Sequence, residues 1–165
     1  MLLSSTLAFR KVSDISPEIL KKLGIKGLIL DVDNTLTTHD NPRPADGVLE
    51  WLDLMKKNNI KMIIVSNNHF PRIKPFADML GLDFIPDGKK PLSVGFKKAM
   101  QKMGISNNEI AVVGDQIYTD VLGANLMRLK MLYVVPIEKE KTMFFKFKRK
   151  MEIPFLPKNF INEER

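Results

Sequence analysis

The 165-residue chain contains no cysteine. Disulfides, thiolate metal sites and a cysteine nucleophile are therefore excluded, and the absence fits a reducing compartment. Histidine is scarce, with two residues, and tryptophan occurs once. No stretch approaches the roughly 18 consecutive apolar residues that suggest a membrane span. The N-terminal MLLSSTLAFRK is mildly apolar, but its basic residues follow the apolar part, the reverse of a secretory signal. Internal repeats and low-complexity linkers are missing too. These absences lead us to expect a cytoplasmic protein, membrane-associated at most from one face.

What is present is a hydrophobic fraction of 44% and a formal net charge of +7. The first, with the length, suits one domain over residues 1–165 with a real core. The second suits an anionic partner, whether nucleic acid, a phosphorylated substrate or an anionic membrane, and equally a well-solvated basic surface.

Short apolar runs alternate with amphipathic stretches. A helix is expected from Ser16, with Pro17 at its first position, to Gly24. Gly27 to Val32 reads as a buried strand. Val48, Trp51, Leu52 and Met55 form a helical stripe, with Asp46 as its cap and Asn58-Asn59 as its end. Met62 to Val65 is the second strand. Pro71 opens a helix carrying Ile73, Phe76, Ala77 and Leu80, stopped by Gly81. Leu82 to Ile85 is a short third strand. Pro91 opens a helix with Leu92, Phe96, Met100 and Met103 inward, and Gly104 follows it. Ile110 to Val113 is the fourth strand, Thr119 caps a helix to about Arg128, and Met131 to Val135 is the fifth strand. Trp51 and the methionines read as core. The alternation predicts an α/β fold with a parallel five-stranded sheet between two helical layers.

In such sheets ligands bind beyond the carboxyl ends of the strands. Four polar clusters fall there: Asp31-Val32-Asp33-Asn34-Thr35, Ser66-Asn67-Asn68, Gly88-Lys89-Lys90-Pro91, and Gly114-Asp115 through Asp120. Alone, each is ordinary turn or surface chemistry. Together they put three carboxylates, Asp31, Asp33 and Asp115, beside Lys90 and the Ser66 hydroxyl. Hard oxygen ligands without histidine or cysteine favour magnesium over zinc. Lys90, Ser66 and loop N–H groups suit phosphate oxygens. A carboxylate nucleophile, a metal and phosphate donors together suggest phosphoryl transfer.

These motifs resemble the haloacid dehalogenase (HAD) superfamily of phosphatases, whose ordered pattern is Asp-x-Asp-x-Thr, a Ser or Thr after the second strand, a Lys, and Gly-Asp with a further Asp. Here they are DVDNT at 31–35, Ser66, Lys90 and GDQIYTD at 114–120. The stretches GIKGLILDVDNTL, IVSNN, KKP and GDQIYTDVLGANL look like the YqeG-type branch, subfamily IIIA, and SDISPEILKKLGIKG before the first motif extends the likeness. That branch is similar to the mitochondrial phosphatidylglycerophosphate phosphatases. Val32 stands where Leu is common, and Asp87-Gly88-Lys89 where an Ala-x-Lys-Pro run is typical. Lys90 is preferred to Lys89 because it directly precedes the proline.

The resemblance implies a HAD-like (Rossmannoid) three-layer fold, Mg2+ as cofactor, and removal of the terminal phosphate from phosphatidylglycerophosphate. Asp31 is then the nucleophile and a metal ligand. Asp33 is the acid and base, with its backbone carbonyl on the metal. Asp115 is the second carboxylate ligand, and Asp120 orients metal-bound water or Lys90. Ser66, the Asn67 backbone and Lys90 hold the phosphoryl oxygens, and Thr35 braces the first loop.

The intervals between motifs have no room for a cap domain, so an open site is expected, suited to a phosphate already attached to something large. Residues 137–165 form a basic extension of the same domain. In it, KEKTMFFKFKRKM at 139–151 places Met143, Phe144, Phe147 and Met151 on one helical face, while Lys141, Lys146, Lys148, Arg149 and Lys150 supply charge. Two readings stay open: the face lies on an anionic membrane, at the inner, cytoplasmic side, or it packs on the sheet. A capless phosphatase for soluble sugar phosphates, nucleotides or phosphoproteins fits the same site. A receiver-like signalling domain fits less well, because receivers lack an acid–base Asp two residues beyond the acceptor, where Asp33 stands. Nucleic-acid binding is not expected, since no recognised module is present. His39 and His69 lie beside motif loops with no chemistry assigned.

Overall fold

A computed structural model describes residues 1–161; the last four residues of the expected C-terminal extension lie outside the described residues. In chain order the elements are β1 (Leu7–Phe9), α1 (Pro17–Lys22), β2 (Gly27–Leu30), α2 (Val48–Lys57), β3 (Lys61–Val65), α3 (Phe70–Leu80), β4 (Asp83–Ile85), α4 (Ser93–Met103), β5 (Ile110–Gly114), α5 (Leu122–Leu126), β6 (Lys130–Val134) and α6 (Met143–Glu152).

The strands form one parallel sheet in the order β1-β6-β5-β2-β3-β4. β2 and β5 are at its centre and every residue of both is buried, which is why each reads as an unbroken apolar run. Alternate side chains serve opposite faces. Leu28 and Leu30 pack with Trp51, Leu52, Met55, Ile73 and Phe76 from α2 and α3. Ile29 packs on the other side with Phe96, Ala99 and Met103 of α4 and Ala124 of α5. The result is a three-layer α/β/α architecture.

The chain runs from β2 outward through β3 to β4, then crosses to β5 on the other side of β2. The strand order therefore reverses between β2 and β5, the place where such sheets open a crevice. Leu30 is in register with both Ile64 and Val113, so the residues after β2, β3 and β5 emerge at one level.

Several details depart from the sequence expectations. The sheet has six strands because β1 adds to the edge beside β6; three residues are too few to show a period. Asp46 does not cap α2: Gly47 holds that position at φ 82°, a left-handed conformation that glycine adopts without strain. Pro71 is the second residue of α3. α4 starts at Ser93, with Leu92 exposed at its cap and Met100 only half-buried, so neither is core. Thr119 caps nothing. It lies within a π-helical turn, Ile117–Val121, that leads into α5, and its hydroxyl hydrogen-bonds Gln116 Oε1. Met55, Met103 and Met131 are core, whereas Met79, Met143 and Met151 are exposed.

Candidate active site

Asp31 continues the line of β2, its N–H donating to the Val113 carbonyl (2.9 Å). The chain then folds over the Val32 carbonyl, which accepts from the N–H groups of Thr35 and Leu36 at 3.1 and 2.9 Å. Asn34 takes φ 60° to make this turn, a conformation that asparagine tolerates better than most residues. The turn sends Asp31 and Asp33 to the same rim.

Lys90 reaches this rim from the loop after β4. Its backbone is clamped to the loop after β3: Lys90 N–H donates to Asn67 Oδ1 (2.7 Å), and Asn67 Nδ2 donates to the Lys90 carbonyl (3.1 Å). Lys90 is buried, and its Nζ donates to Asp31 Oδ1 (2.7 Å) and Asp120 Oδ1 (2.6 Å). Lys89 is exposed. Ser66 is buried beside Asn67, and its Oγ accepts from the Asn68 N–H (3.1 Å). The Thr35 hydroxyl lies 3.3 Å from both Asp31 Oδ2 and Asp115 Oδ1, bridging the first and last motifs.

Asp115 and Asp120 are fully buried. Gly114 makes their packing possible, since a Cβ there would lie 2.4 Å from Asp120 Cγ. The π turn then brings Asp120 back beneath its own start, where Oδ2 accepts from the Gln116 N–H (3.2 Å).

Burial pushes the Asp115 carboxyl well above the usual carboxylate range; Arg149 opposes this, and Asp31 and Asp120 add to it. Asp120 is raised by burial and by Asp31, against the pull of Lys90. Burial lowers the Lys90 pKa, but Asp120 and Asp31 more than reverse this and hold the ammonium above its ordinary value.

Carboxylate oxygens of Asp31, Asp115 and Asp120 lie within 4.8 Å of one another. The donors are all hard oxygens, and burial raises the proton affinity of Asp115, with Asp31 and Asp120 adding to it against Arg149. This set fits a divalent cation with oxygen ligands. Lys90 and the Gln116 N–H occupy the two Asp120 oxygens, whereas Asp31 Oδ2 and Asp115 Oδ1 face only the shared Thr35 hydroxyl, at 3.3 Å each, so these two oxygens are the best placed to hold it. The Asp33 carboxylate is not in this cluster.

The Asp33 side chain turns instead toward α3, accepting from Asn68 Nδ2 (2.6 Å) and Arg72 NH2 (3.1 Å). Nothing in the sequence spacing pointed to Arg72. Arg149 counted in the sequence only as one of the charges of the basic helix. From α6 it pairs with Asp115 Oδ2, donates to the Asp115 carbonyl (2.8 Å), and meets Glu140 Oε1 (2.8 Å) and Glu152 Oε2 (3.0 Å). Burial opposes its charge, and Asp115 and Glu152 more than offset that. Glu152 also accepts from the Ile117 N–H (2.9 Å), and Lys148 Nζ donates to Gln116 Oε1 (2.7 Å). Glu140 Oε2 lies 2.9 Å from His39 Nε2, which ties one of the two histidines to the network. His69 is exposed and pairs with Asp87.

Asp31, Asp33, Ser66 and Lys90 line an open cleft of about 380 Å3, with Phe145 and Lys148 of α6 on its wall. The whole arrangement can present a carboxylate oxygen to phosphorus, surround a phosphoryl group with donors, and keep a second carboxyl at hand for proton transfer.

Residues 38–127 match the family described as haloacid dehalogenase-like hydrolase. The chain is 38% identical over 143 residues to the probable phosphatase YqeG of Bacillus subtilis (strain 168), covering 87% of this chain and 83% of that protein. It is 32% identical over 119 residues to the mitochondrial phosphatidylglycerophosphatase GEP4 of Saccharomyces cerevisiae (strain ATCC 204508 / S288c), covering 62% of this chain and 63% of that protein. The crystal structure of a haloacid dehalogenase-like hydrolase from Brucella suis 1330 shares the fold, with a TM-score of 0.60 over 75% of this chain and 88% of that one at 10% identity.

Proposed function

This chain belongs to the haloacid dehalogenase-like hydrolases and is a phosphatase of that family, and we propose that it hydrolyses the terminal phosphomonoester of phosphatidylglycerophosphate through an aspartyl-phosphate on Asp31. The observation that carries the mechanism is the setting of the Asp31 carboxylate: beside Lys90 at 2.7 Å, within the three-carboxylate cluster, and open to the cleft that Ser66 and Asp33 share.

In the first step an Asp31 oxygen attacks phosphorus and the bond to the ester oxygen breaks. Asp33 gives its proton to the leaving alkoxide. In the second step Asp33 takes a proton from water as that water attacks phosphorus. The bond to Asp31 breaks and phosphate leaves. The sum is ester plus water to alcohol plus phosphate, and both carboxyls return to their starting forms. Lys90, the Ser66 hydroxyl and the Asn67 N–H hold the phosphoryl oxygens while charge moves. Asn68 and Arg72 fix the Asp33 carboxyl. Thr35 ties Asp31 to Asp115. Asp31, Asp115 and the Asp33 carbonyl would hold Mg2+, which when bound would supply positive charge against the phosphoryl oxygens and lower their repulsion of the nucleophile.

The lipid substrate is supported by the similarity to GEP4 and by the open cleft. The chain works as one domain with no cap, in the cytoplasm at the inner membrane face. Among the described residues no helix is long and apolar enough to cross a membrane.

The test is phosphate release from phosphatidylglycerophosphate in mixed micelles with Mg2+, beside a panel of soluble phosphate esters, for the native chain and Asp31→Asn. We expect strong preference for the lipid and no turnover in the variant. Preference for a soluble ester overturns the substrate. Substantial turnover by Asp31→Asn overturns the nucleophile, and no release from any ester favours a non-catalytic phosphoryl-binding domain.

A further inference from the structure

α6 has two faces, and the apolar one points away from the protein. Met143, Phe144, Phe147 and Met151 share a side of the helix and are 80%, 71%, 66% and 51% exposed. Ile153, in the turn that follows, extends the patch at 60%. Phe144 stacks edge-on against Phe145. Such a concentration of exposed large apolar side chains on one short helix marks an interaction surface.

The charge around this face indicates what covers it. Lys146 and Lys150 are exposed along its border, and Lys141 stands just before the helix, 3.5 Å from Glu138. The acidic residues of segment 140–152, Glu140 and Glu152, are both buried against Arg149. The accessible surface of the helix is therefore apolar with a cationic margin. A second copy laid face to face would bring these lysines against each other, which is repulsive. An anionic sheet of headgroups over an apolar interior matches both features at once.

We propose that α6 is a membrane-docking helix whose Met143, Phe144, Phe147 and Met151 enter the headgroup–acyl boundary of an anionic bilayer. Phe145 and Lys148, on the adjoining flank of the helix, line the cleft with Asp31 and Ser66. Docking thus sets the cleft mouth at the lipid surface, where a headgroup phosphate reaches Asp31 without leaving the bilayer. This role deepens the lipid-phosphatase reading above, yet the binding itself needs no turnover.

The experiment is flotation of the full chain with vesicles of phosphatidylcholine containing phosphatidylglycerol, and with phosphatidylcholine alone. It compares the native protein, Phe144→Ser/Phe147→Ser and Lys146→Glu/Lys150→Glu, with thermal unfolding of each and light scattering for oligomeric state. We expect the native chain to float with anionic vesicles and weakly with neutral ones. The phenylalanine pair should lose about tenfold or more of its vesicle partitioning, because two buried rings are removed from the interface, with its unfolding temperature retained. The lysine pair should lose binding to anionic vesicles, and it keeps the test open should the first variant unfold. No flotation of the native chain, or equal flotation of the folded variants, overturns the proposal. A concentration-dependent dimer abolished by the phenylalanine pair, without vesicle binding, assigns the face to a second copy. Vesicle binding without turnover of phosphatidylglycerophosphate leaves docking standing and removes the substrate reading; turnover in micelles without vesicle binding does the reverse.

Discussion

α4 and α6 are helices of similar length, eleven and ten residues, and both are amphipathic. α4 turns its apolar side inward, with Phe96, Ala99 and Met103 buried on the sheet and its lysines in water. α6 does the opposite. Its buried side is Arg149 and Glu152, and its aromatic side faces out. The difference lies in what each helix meets. α4 covers apolar side chains of β3, which would otherwise be wet. α6 covers the start of the π turn, where Asp115, the Gln116 amide and the Ile117 N–H need partners. A buried charge without a partner costs more than an exposed phenylalanine, so the ionic side of α6 takes the interior.

The contrast can be broken at either helix. Arg149→Met should have the largest effect. It leaves Asp115, Glu140 and Glu152 facing one another without the cation that joins them, at a cost of about 3–5 kcal/mol. Chemical denaturation measures it, and a loss under about 1 kcal/mol would show that α6 is held by something other than this network. Arg149→Lys should recover only part of the loss, because an ammonium lacks the planar fork that meets several acceptors. Phe96→Ala in α4 should cost about 3–4 kcal/mol by opening a cavity under a fully buried ring.

A smaller effect sharpens the electrostatic half of the comparison. The raised pKa values of Asp115 and Asp120 mean that the folded state binds protons more tightly than the unfolded chain does. Their contribution to stability is therefore present below the ordinary carboxylate pKa and is lost as pH rises through the raised values. With chelator present these two groups make the protein less stable as pH rises. Mg2+ bound at this cluster, as proposed, would compete with protons for the same oxygens, so its stabilisation should grow with pH, to about 2.7 kcal/mol at a hundredfold excess over its Kd. Unfolding temperatures from about pH 5 to about pH 8, with and without Mg2+, check the sign. A gap that narrows with rising pH would remove the metal from this cluster. The smallest effect closes the comparison: Phe147→Ala in α6, the same kind of truncation as in α4, should change stability by less than about 0.5 kcal/mol.

The central strands and the rim were readable because their signals are local. A buried parallel strand must be a continuous apolar run, and a polar cluster directly after it must emerge at the sheet edge; this holds for Asp31 after β2, Ser66 after β3 and Asp115 after β5. Lys90 was singled out from Lys89 only through the family pattern, in which a lysine directly precedes a proline; its contacts with Asp31 and Asp120 are tertiary. β1 was not readable, because an edge strand of three residues shows no period. Arg72 and Arg149 were not, because each meets its carboxylate across 39 and 34 residues of chain and sits in no motif.

By itself, then, the sequence determined the strand–helix alternation, the order of the four polar clusters and the presence of an amphipathic basic helix near the C-terminus. Periodicity records that a helix has two unlike faces and is silent on which one is buried. Only the tertiary structure decided that, because the answer depends on the charges the helix meets. For α6 those were Asp115 and the N–H groups of the π turn. Burying Arg149 and Glu152 against them left the phenylalanines outside.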